Sequence, residues 1–156
     1  HTVAIHSASH KYNQIYTSEQ AFFDDLEQMN SIIKAQTGND ASIIRFPGGS
    51  SNTVSKDYCP GIMTQLVNDV TARGLLYCDW NVSSGDANNK PISTEQVVQN
   101  VISGVQSHNV SVVLQHDIKD FSVNAVEQII QWGQANGYTF LPLTTSSPMS
   151  HHRVNN

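Results

Sequence analysis

The sequence predicts an α/β fold in which short parallel strands alternate with helices. Three observations support this class: apolar residues recur at helical spacing in four segments, β-branched runs separate those segments, and a glycine follows three of them. Strict alternation of strands and helices is typical of a parallel sheet covered by its helices. The pattern fits two arrangements of the sheet, an open doubly wound sheet and a barrel with the helices outside.

The first third of the chain carries clear signals for individual elements. Residues 2–6 are rich in β-branched side chains and predict a strand, and residues 43–46 predict the next one. Between them, Thr17 and Ser18 have the pattern of a helix N-cap, and Gly38 has that of a helix stop. The helix presents one apolar stripe, formed by Phe22, Leu26, Met29 and Ile33.

The same alternation continues to the end of the chain. The remaining predicted elements are, in order, a helix at 61–73, a strand at 75–80, a polar loop at 81–91, a helix at 93–105, a strand at 110–115, a helix that begins at Ser122 and stops at Gly137, and a strand at 138–143. The last helix has its large apolar residues at Val126, Ile129 and Ile130.

Composition narrows the functional classes. The chain has 156 residues, of which 38% are hydrophobic and 13% are charged, and its formal net charge is -5. That length suffices for one domain with its own core. The sequence contains no basic patch of the kind that nucleic-acid binding needs, and no apolar run long enough for a transmembrane helix. Seven histidines stand against eight lysines and arginines, which points to imidazole chemistry.

Polar side chains suited to chemistry follow four consecutive predicted strands. Both possible arrangements of the sheet place active sites at the carboxyl ends of strands, so these segments are expected to share one site. The four segments are His6-Ser7-Ala8-Ser9-His10, Arg45-Phe46-Pro47-Gly48-Gly49, Asp79-Trp80-Asn81 and His116-Asp117. For any one segment alone, the simpler interpretation is an exposed polar strand end.

The spacing of His6 and His10 predicts a metal site. On a helical turn, two imidazoles four residues apart lie on one side and can bind the same ion. A catalytic zinc takes three protein ligands, so a third ligand is needed, and we expect a carboxylate. Two surface histidines are the alternative interpretation.

Arg45, Asp79 and His116 are candidates for acid–base chemistry. Arg45 precedes a Pro-Gly-Gly loop and can hold a carboxylate in its ionised form, while the glycine pair allows backbone N–H groups to point into the site, as an oxyanion hole requires. His116 follows an apolar run and can protonate a leaving group, with Asp79 as the carboxylate that orients it. A surface arginine beside a turn and a satisfied core histidine are the alternatives.

These segments, in this order and with helices between them, resemble the polysaccharide deacetylases, the NodB-homology carbohydrate esterases. The resemblance covers nearly the whole chain. Four of the family's motifs match in turn: H-[ST]-x-x-H at His6-Ser7-Ala8-Ser9-His10, R-x-P-x-G at Arg45-Phe46-Pro47-Gly48-Gly49, Asp-Trp at Asp79-Trp80, and L-x-H at Leu114-Gln115-His116.

The resemblance implies a fold, a cofactor and a set of residue roles. The implied fold is a distorted, incomplete (β/α) barrel, and the implied cofactor is a divalent metal, zinc first, with Co, Ni or Mn as alternatives. The implied roles are metal ligation by His6 and His10, oxyanion stabilisation by the Gly48 N–H, general acid catalysis by His116 with Asp79 as its partner, orientation of the catalytic base by Arg45, and substrate binding by Pro47, Trp80 and Leu114.

One family motif, T-F-D-D-G, has no acceptable match. In the family it supplies the catalytic base and the third metal ligand, and Phe23-Asp24-Asp25 imitates it only inside the first predicted helix and without the glycine. The family barrel also carries two strands before the His-x-x-x-His strand. We therefore expect residues 1–156 to be the C-terminal part of a single catalytic domain, inactive by itself and weak in metal binding.

The implied function is removal of the N-acetyl group from N-acetylglucosamine in peptidoglycan or a chitin-like polymer. An esterase that removes O-acetyl groups from xylan, and a carbohydrate-binding relative without catalysis, are the alternatives. The implied partner is an acetylated carbohydrate polymer and not a nucleic acid. The implied location is secreted or at the surface of a bacterial cell.

Overall fold

Helices and short parallel strands alternate along the chain, as the sequence predicts. A computed structural model describes residues 1–88 and 90–156. The elements are α1 (Tyr12–Ile15), α2 (Glu19–Thr37), β1 (Ile43–Ile44), a 3₁₀ turn (Ser55–Asp57), α3 (Ile62–Ala72), β2 (Leu76–Tyr77), β3 (Val82–Ser83), α4 (Thr94–Val105), β4 (Val113–Leu114) and α5 (Asp120–Ala135). Every strand pairing within the described ranges is parallel.

The described residues divide into two compact units. The first unit comprises His1–Asp79 and Leu143–Asn156, and the second comprises Trp80–Pro142. None of the helices in the described part of the chain is both long and apolar enough to cross a membrane.

The first unit is built on a short parallel sheet. Strand β1 pairs with β2, with Ile43 opposite Leu76. The strand predicted at residues 2–6 is reduced to a single bridge between Ile5 and Ile44, because only Ile5 exchanges backbone hydrogen bonds with the neighbouring strand. The carboxyl ends of these short strands lead directly into the His-x-x-x-His and Arg-x-Pro-x-Gly segments.

Helix α2 covers this sheet with the predicted apolar stripe. The Ser18 hydroxyl accepts a hydrogen bond from the Ala21 N–H at 3.1 Å, and Gly38 ends the helix with a left-handed φ of 77°. Phe22, Leu26 and Ile33 are buried, and Met29 packs against them. The short helix α1, which the sequence did not reveal, adds buried Ile15 and Tyr16 to the same core: Ile5, Ile15, Tyr16, Phe22, Phe23, Leu26, Ile33, Ala41, Ile44, Phe46, Ile62, Met63, Leu66 and Val70.

The second unit pairs β3 with β4 beside the two helices α4 and α5. Strand β3 lies inside the segment predicted to be a polar loop, so that prediction is wrong. The Asn81 side chain explains the strand: its amide donates to the Val110 carbonyl at 2.8 Å, and its carbonyl oxygen accepts from the Val112 N–H at 2.7 Å. These side-chain hydrogen bonds add to backbone pairing at the start of the strand, where the N–H groups of Asn81 and Val82 donate to the Val112 carbonyl at 3.1 and 3.2 Å.

Only Ile129 of the three large apolar residues predicted in helix α5 is buried, and small residues complete the inward face. The buried positions are Ser122, Ala125, Ile129 and Gly133, whereas Val126 and Ile130 are 42% and 37% exposed. Small residues on the buried face allow close approach of α4. The strand predicted at 138–143 does not form. Phe140 of this segment packs against helix α5 at Gly133, where a Cβ would lie 2.6 Å from the Phe140 ring.

Candidate functional site

The His-x-x-x-His segment forms a turn that a carboxylate on α2 holds closed. Asp25 accepts hydrogen bonds from the Ser7 hydroxyl at 2.6 Å and from the N–H groups of Ala8 and Ser9 at 2.9 and 2.8 Å. Burial alone would raise the pKa of Asp25, but these hydrogen bonds outweigh it and lower the pKa. The carboxylate is therefore ionised and anchors three consecutive residues of the turn.

Sequence reasoning considered Asp25 only as a poor match to another motif and missed this role. The available signal was its place on α2: it lies three residues after Phe22 and directly before Leu26, at the edge of the buried stripe. An acidic residue there is half-buried and needs donors, and the turn supplies them.

His10 ends the turn in a backbone conformation that is rare outside glycine. Its φ is 55°, and its N–H donates to the Ser7 hydroxyl oxygen at 2.8 Å. This conformation brings its ring to His6, with a centroid separation of 5.0 Å and an angle of 60° between the rings. Strained backbone at a residue with a predicted chemical role is a frequent feature of functional sites.

The separation of the His6 and His10 rings fits that of two imidazoles bound to one metal ion. Imidazoles that share a tetrahedral zinc at ~2.0–2.1 Å have ring centroids about 5 Å apart, as His6 and His10 do here. His6 Nδ1–H donates to the Arg45 carbonyl at 2.9 Å, so Nε2 carries the lone pair for a metal. A ring nitrogen fixed by a backbone carbonyl is usual in metal-ligating histidines.

The donor set is incomplete within the residues that the structure describes. No third histidine, cysteine or carboxylate there joins His6 and His10 in a group able to hold a metal ion. Because a catalytic zinc takes three protein ligands, these two side chains fit part of such a site and do not complete it.

Arg45 lies beside this pair without a carboxylate partner. Its side chain is half-buried, and no acidic group in residues 1–88 or 90–156 forms an ion pair with it. Burial lowers the pKa of its guanidinium, and the nearby Cys78 and Asp79 partly offset this effect. A half-buried arginine that stays charged and unpaired is suited to bind an anionic group.

The loop after Arg45 turns its glycines into a left-handed conformation. Gly48 has a φ of 78°, which a residue with a side chain rarely adopts. It is exposed, and its N–H donates to no acceptor in the described ranges. Pro47 is buried, and its carbonyl accepts a hydrogen bond from the Tyr16 hydroxyl at 2.7 Å, which fixes the loop.

The predicted partnership of Asp79 with His116 is wrong. Asp79 is 1% exposed, and its two oxygens accept from the Ser50 N–H at 2.8 Å, the Ser50 hydroxyl at 2.5 Å and the His152 N–H at 2.8 Å. Both carboxylate oxygens are thus used within the first unit. Asp79 joins the glycine loop to the C-terminal segment.

Asp86 is the carboxylate that orients His116. Asp86 Oδ1 accepts from His116 Nδ1–H at 2.8 Å, and Oδ2 accepts from the His116 backbone N–H at 2.6 Å and from the Ser122 hydroxyl at 2.6 Å. The Asp86 side chain is 1% exposed and that of His116 is 32% exposed. The imidazole therefore has one edge fixed on a buried anion and part of its ring accessible.

The environment of Asp86 keeps it ionised. Burial alone would raise its pKa, but hydrogen bonds from Ser122, His116 and Ser84 outweigh burial and lower the pKa to about 2. An ionised carboxylate can only accept, so His116 Nδ1 carries a hydrogen and Nε2 is the atom that can exchange a proton. Lys119 adds a hydrogen bond to the Asp86 carbonyl.

The remaining predicted substrate-binding residues lie in the second unit. Leu114 is buried in β4, and Trp80 is half-buried. Their contacts with a substrate stay predictions.

Comparison with known proteins supports the fold class and identifies relatives. The family model described as polysaccharide deacetylase matches residues 1–59. A curated relative, the peptidoglycan-N-acetylglucosamine deacetylase of Bacillus cereus, is 28% identical over 144 residues, which cover 90% of this chain and 49% of the relative. The chain thus spans about half the length of that protein.

Two solved structures illustrate the likeness. The catalytic domain of peptidoglycan N-acetylglucosamine deacetylase from Eubacterium rectale is 99% identical with a TM-score of 0.99, covering 100% of this chain and 71% of that chain. A polysaccharide deacetylase from Bacillus cereus is 25% identical with a TM-score of 0.73, covering 99% of this chain and 71% of that chain. The predicted fold class, an incomplete α/β barrel of this type, is confirmed by these likenesses.

Proposed function

The chain belongs to the polysaccharide deacetylase family, and from that premise we propose that it forms part of a metal-dependent hydrolase that removes N-acetyl groups from N-acetylglucosamine in peptidoglycan. The observation that carries the proposal is the paired geometry of His6 and His10, whose rings lie 5.0 Å apart on a turn closed by Asp25. The choice of peptidoglycan draws on the names of the Eubacterium rectale and Bacillus cereus relatives.

His6 and His10 are assigned as two ligands of a divalent metal, with zinc as the first choice. When bound, the metal would supply Lewis-acid polarisation and water activation. The third ligand and the catalytic base are proposed to be carboxylates outside these 156 residues. Arg45 is assigned to hold that base in its ionised form, which its unpaired guanidinium favours.

The Gly48 N–H is assigned to the developing oxyanion of the acetyl group. It is exposed and has no acceptor among the described residues, and the glycine conformation presents it on a fixed loop. A preorganised backbone donor of this kind stabilises negative charge as it forms.

His116 is assigned as the general acid that protonates the leaving sugar nitrogen. Asp86 accepts from Nδ1–H, so a second proton can only reside on Nε2, from which it can be transferred. The buried carboxylate also stabilises the imidazolium form by its charge.

Trp80, Leu114 and Pro47 are proposed to contact the sugar or acetyl group. Peptidoglycan lies outside the membrane of a bacterial cell, so we propose that location for the protein.

The test measures acetate release from acetylated chito-oligosaccharide and from peptidoglycan. The natural polypeptide that carries these 156 residues, stripped of metal and reloaded with zinc, is expected to release acetate. The variants H6A and H10A are expected to lose both the activity and one equivalent of bound zinc. H108A is the matched control, because His108 is exposed and its ring bonds to the Gly104 carbonyl near the end of helix α4.

Four outcomes would contradict the proposal or one of its parts. Release from acetylated xylan but not from either glucosamine polymer would favour an esterase. Binding of the polymer without acetate release would favour a carbohydrate-binding protein. Full activity in H6A or H10A would remove the metal assignment. The isolated 156-residue chain is expected to be inactive, and turnover by it would overturn the proposal that the base lies outside.

A further inference from the structure

The side chain of Tyr12 takes up the space into which a side chain at position 48 would point. A methyl group placed on the Cα of Gly48 would lie 2.5 Å from the Tyr12 hydroxyl oxygen and 3.0 Å from the Cβ of Asn52. The hydroxyl group therefore lies directly beside the exposed face of the glycine loop.

The Tyr12 hydroxyl has no hydrogen-bond partner in the part of the chain that the structure describes, and burial alone raises its pKa. The neighbouring Gly48 N–H donates to no acceptor there either. The nearby Tyr16 is different, because its hydroxyl is buried and donates to the Pro47 carbonyl at 2.7 Å. Gly48 is exposed and Tyr12 is half-buried, so both donors can reach an acceptor that comes from outside the chain.

The Tyr12 ring is held from both sides. Its centroid lies 5.7 Å from that of His10 and 5.5 Å from that of Tyr16, the latter in an edge-on arrangement. The hydroxyl is thus fixed beside the proposed metal ligand His10 and the proposed oxyanion donor Gly48. Donors that are already in position need little reorganisation when charge develops on a bound group.

Resting on the proposed deacetylase function, we propose that the Tyr12 hydroxyl is a second hydrogen-bond donor to the acetyl carbonyl oxygen, beside the Gly48 N–H. The hydroxyl donates to the oxygen as negative charge develops on it and keeps its proton throughout. The same geometry accounts for glycine at position 48: any larger residue would displace the Tyr12 hydroxyl as well as adopt an unfavourable φ.

The test compares Y12F with Y58F in the zinc-loaded natural polypeptide. Y12F keeps the ring packed between His10 and Tyr16 and removes only the hydroxyl oxygen. Tyr58 is 42% exposed and serves as the matched control. We expect kcat of Y12F to fall on the order of 10²-fold with KM little changed, as for other oxyanion donors. Y58F is expected to match wild type, and the melting temperatures of all three to agree.

A second readout uses acetate, the reaction product, as an inhibitor. One carboxylate oxygen of acetate would accept from the Tyr12 hydroxyl, so its inhibition constant is expected to rise at least several-fold in Y12F and to stay unchanged in Y58F. This measurement does not depend on which step limits turnover.

The outcomes separate this inference from the proposed function. An inactive wild-type polypeptide overturns both. An active wild type with unchanged kcat and unchanged acetate inhibition in Y12F overturns the role of Tyr12 alone. A fall in activity that follows a loss of melting temperature, with acetate inhibition of the folded fraction unchanged, assigns Tyr12 to packing and also overturns the inference.

Discussion

At the scale of single residues, a buried carboxylate decides which nitrogen of His116 can exchange a proton. Asp86 uses both oxygens on His116, one on the ring and one on the backbone, and a third bond comes from Ser122. Ring orientation and tautomer are therefore set together. Asp79, seven residues earlier, has the same chemistry but different neighbours.

The tautomer of His116 provides a direct test of this assignment. D86N removes the anion that Nδ1–H donates to, so we expect ¹⁵N NMR of neutral His116 to show a lower population of the Nδ1–H tautomer. D79N, the matched control, should leave the His116 ring signals unchanged. A changed tautomer population of His116 in D79N, with no change in D86N, would support the predicted pairing of His116 with Asp79.

The pKa of Asp86 also predicts how stability depends on pH. Its pKa falls from an ordinary 3.8 to about 2 on folding, so the ionised form stabilises the folded state. This contribution is complete above about pH 4 and is lost as the pH falls toward the folded pKa. The pKa of Asp25 is also lowered, so its ionised form stabilises the folded state in the same way.

The expected result is a pH-dependent difference between wild type and D86N. The gap in free energy of unfolding, measured by urea denaturation, should be largest above about pH 4 and should narrow as the pH falls toward 2. A gap that is constant across this range would mean that the Asp86 carboxylate titrates alike in the folded and unfolded states.

At the scale of elements, hydrogen bonds to Asp25 fix the His-x-x-x-His turn on helix α2. The helix begins at Ser18 and buries its apolar stripe, which places Asp25 against the turn. His10 can keep its positive φ because its N–H and that of Ser9 are both satisfied within the turn network. The position of a proposed metal ligand thus depends on a residue of a neighbouring helix.

We expect D25N to loosen this turn. The substitution replaces a charged acceptor of three hydrogen bonds with an amide that offers one acceptor oxygen, at a cost of about 1–3 kcal/mol in free energy of unfolding. Amide hydrogen exchange at Ala8 and Ser9 should accelerate, and zinc should bind more weakly. The control is D24N, since Asp24 is exposed and accepts only from Gln20 on its own helix. Equal exchange in both variants would contradict the role of Asp25.

At the scale of the whole chain, Asp79 connects segments that are distant in sequence. It bonds Ser50 of the glycine loop and His152 of the C-terminal segment, and the Ser51 hydroxyl bonds the His152 ring at 3.0 Å. His151 stacks on Tyr77 with centroids 4.0 Å apart. The C-terminal segment is therefore held by hydrogen bonds and ring stacking within the first unit.

D79N is expected to release this connection. A buried carboxylate with three donors becomes an amide that must place an N–H opposite another N–H, which costs about 1–3 kcal/mol or more. Thermal unfolding should occur at a lower temperature, and proteolysis near residues 150–153 should speed up. D57N, at an exposed aspartate of the same unit, is the control. A D79N protein as stable as D57N would show that the connection contributes nothing.

Local patterns were sufficient for the helices and insufficient for the strands. Helix α2 and helix α4 begin at the predicted serine caps, because capping and apolar spacing act within a few residues. Strand length depends on whether a partner lies alongside, which a β-branched run does not encode. Residues 2–6 therefore keep a single bridge, while residues 82–83 pair although their surroundings are polar.

By itself, the sequence determined the parallel α/β class, the helix boundaries to within a few residues, and the residues His6, His10, Arg45 and Gly48 as candidates for one chemistry. Tertiary structure alone decided the partners: Asp86 for His116, Asp25 for the histidine turn, Ser50 and His152 for Asp79, and Tyr12 for Gly48. The physical reason is that caps and periodicity are local interactions, whereas a carboxylate finds its donors through space. Two aspartates seven residues apart look alike in sequence, and only the fold distinguishes them.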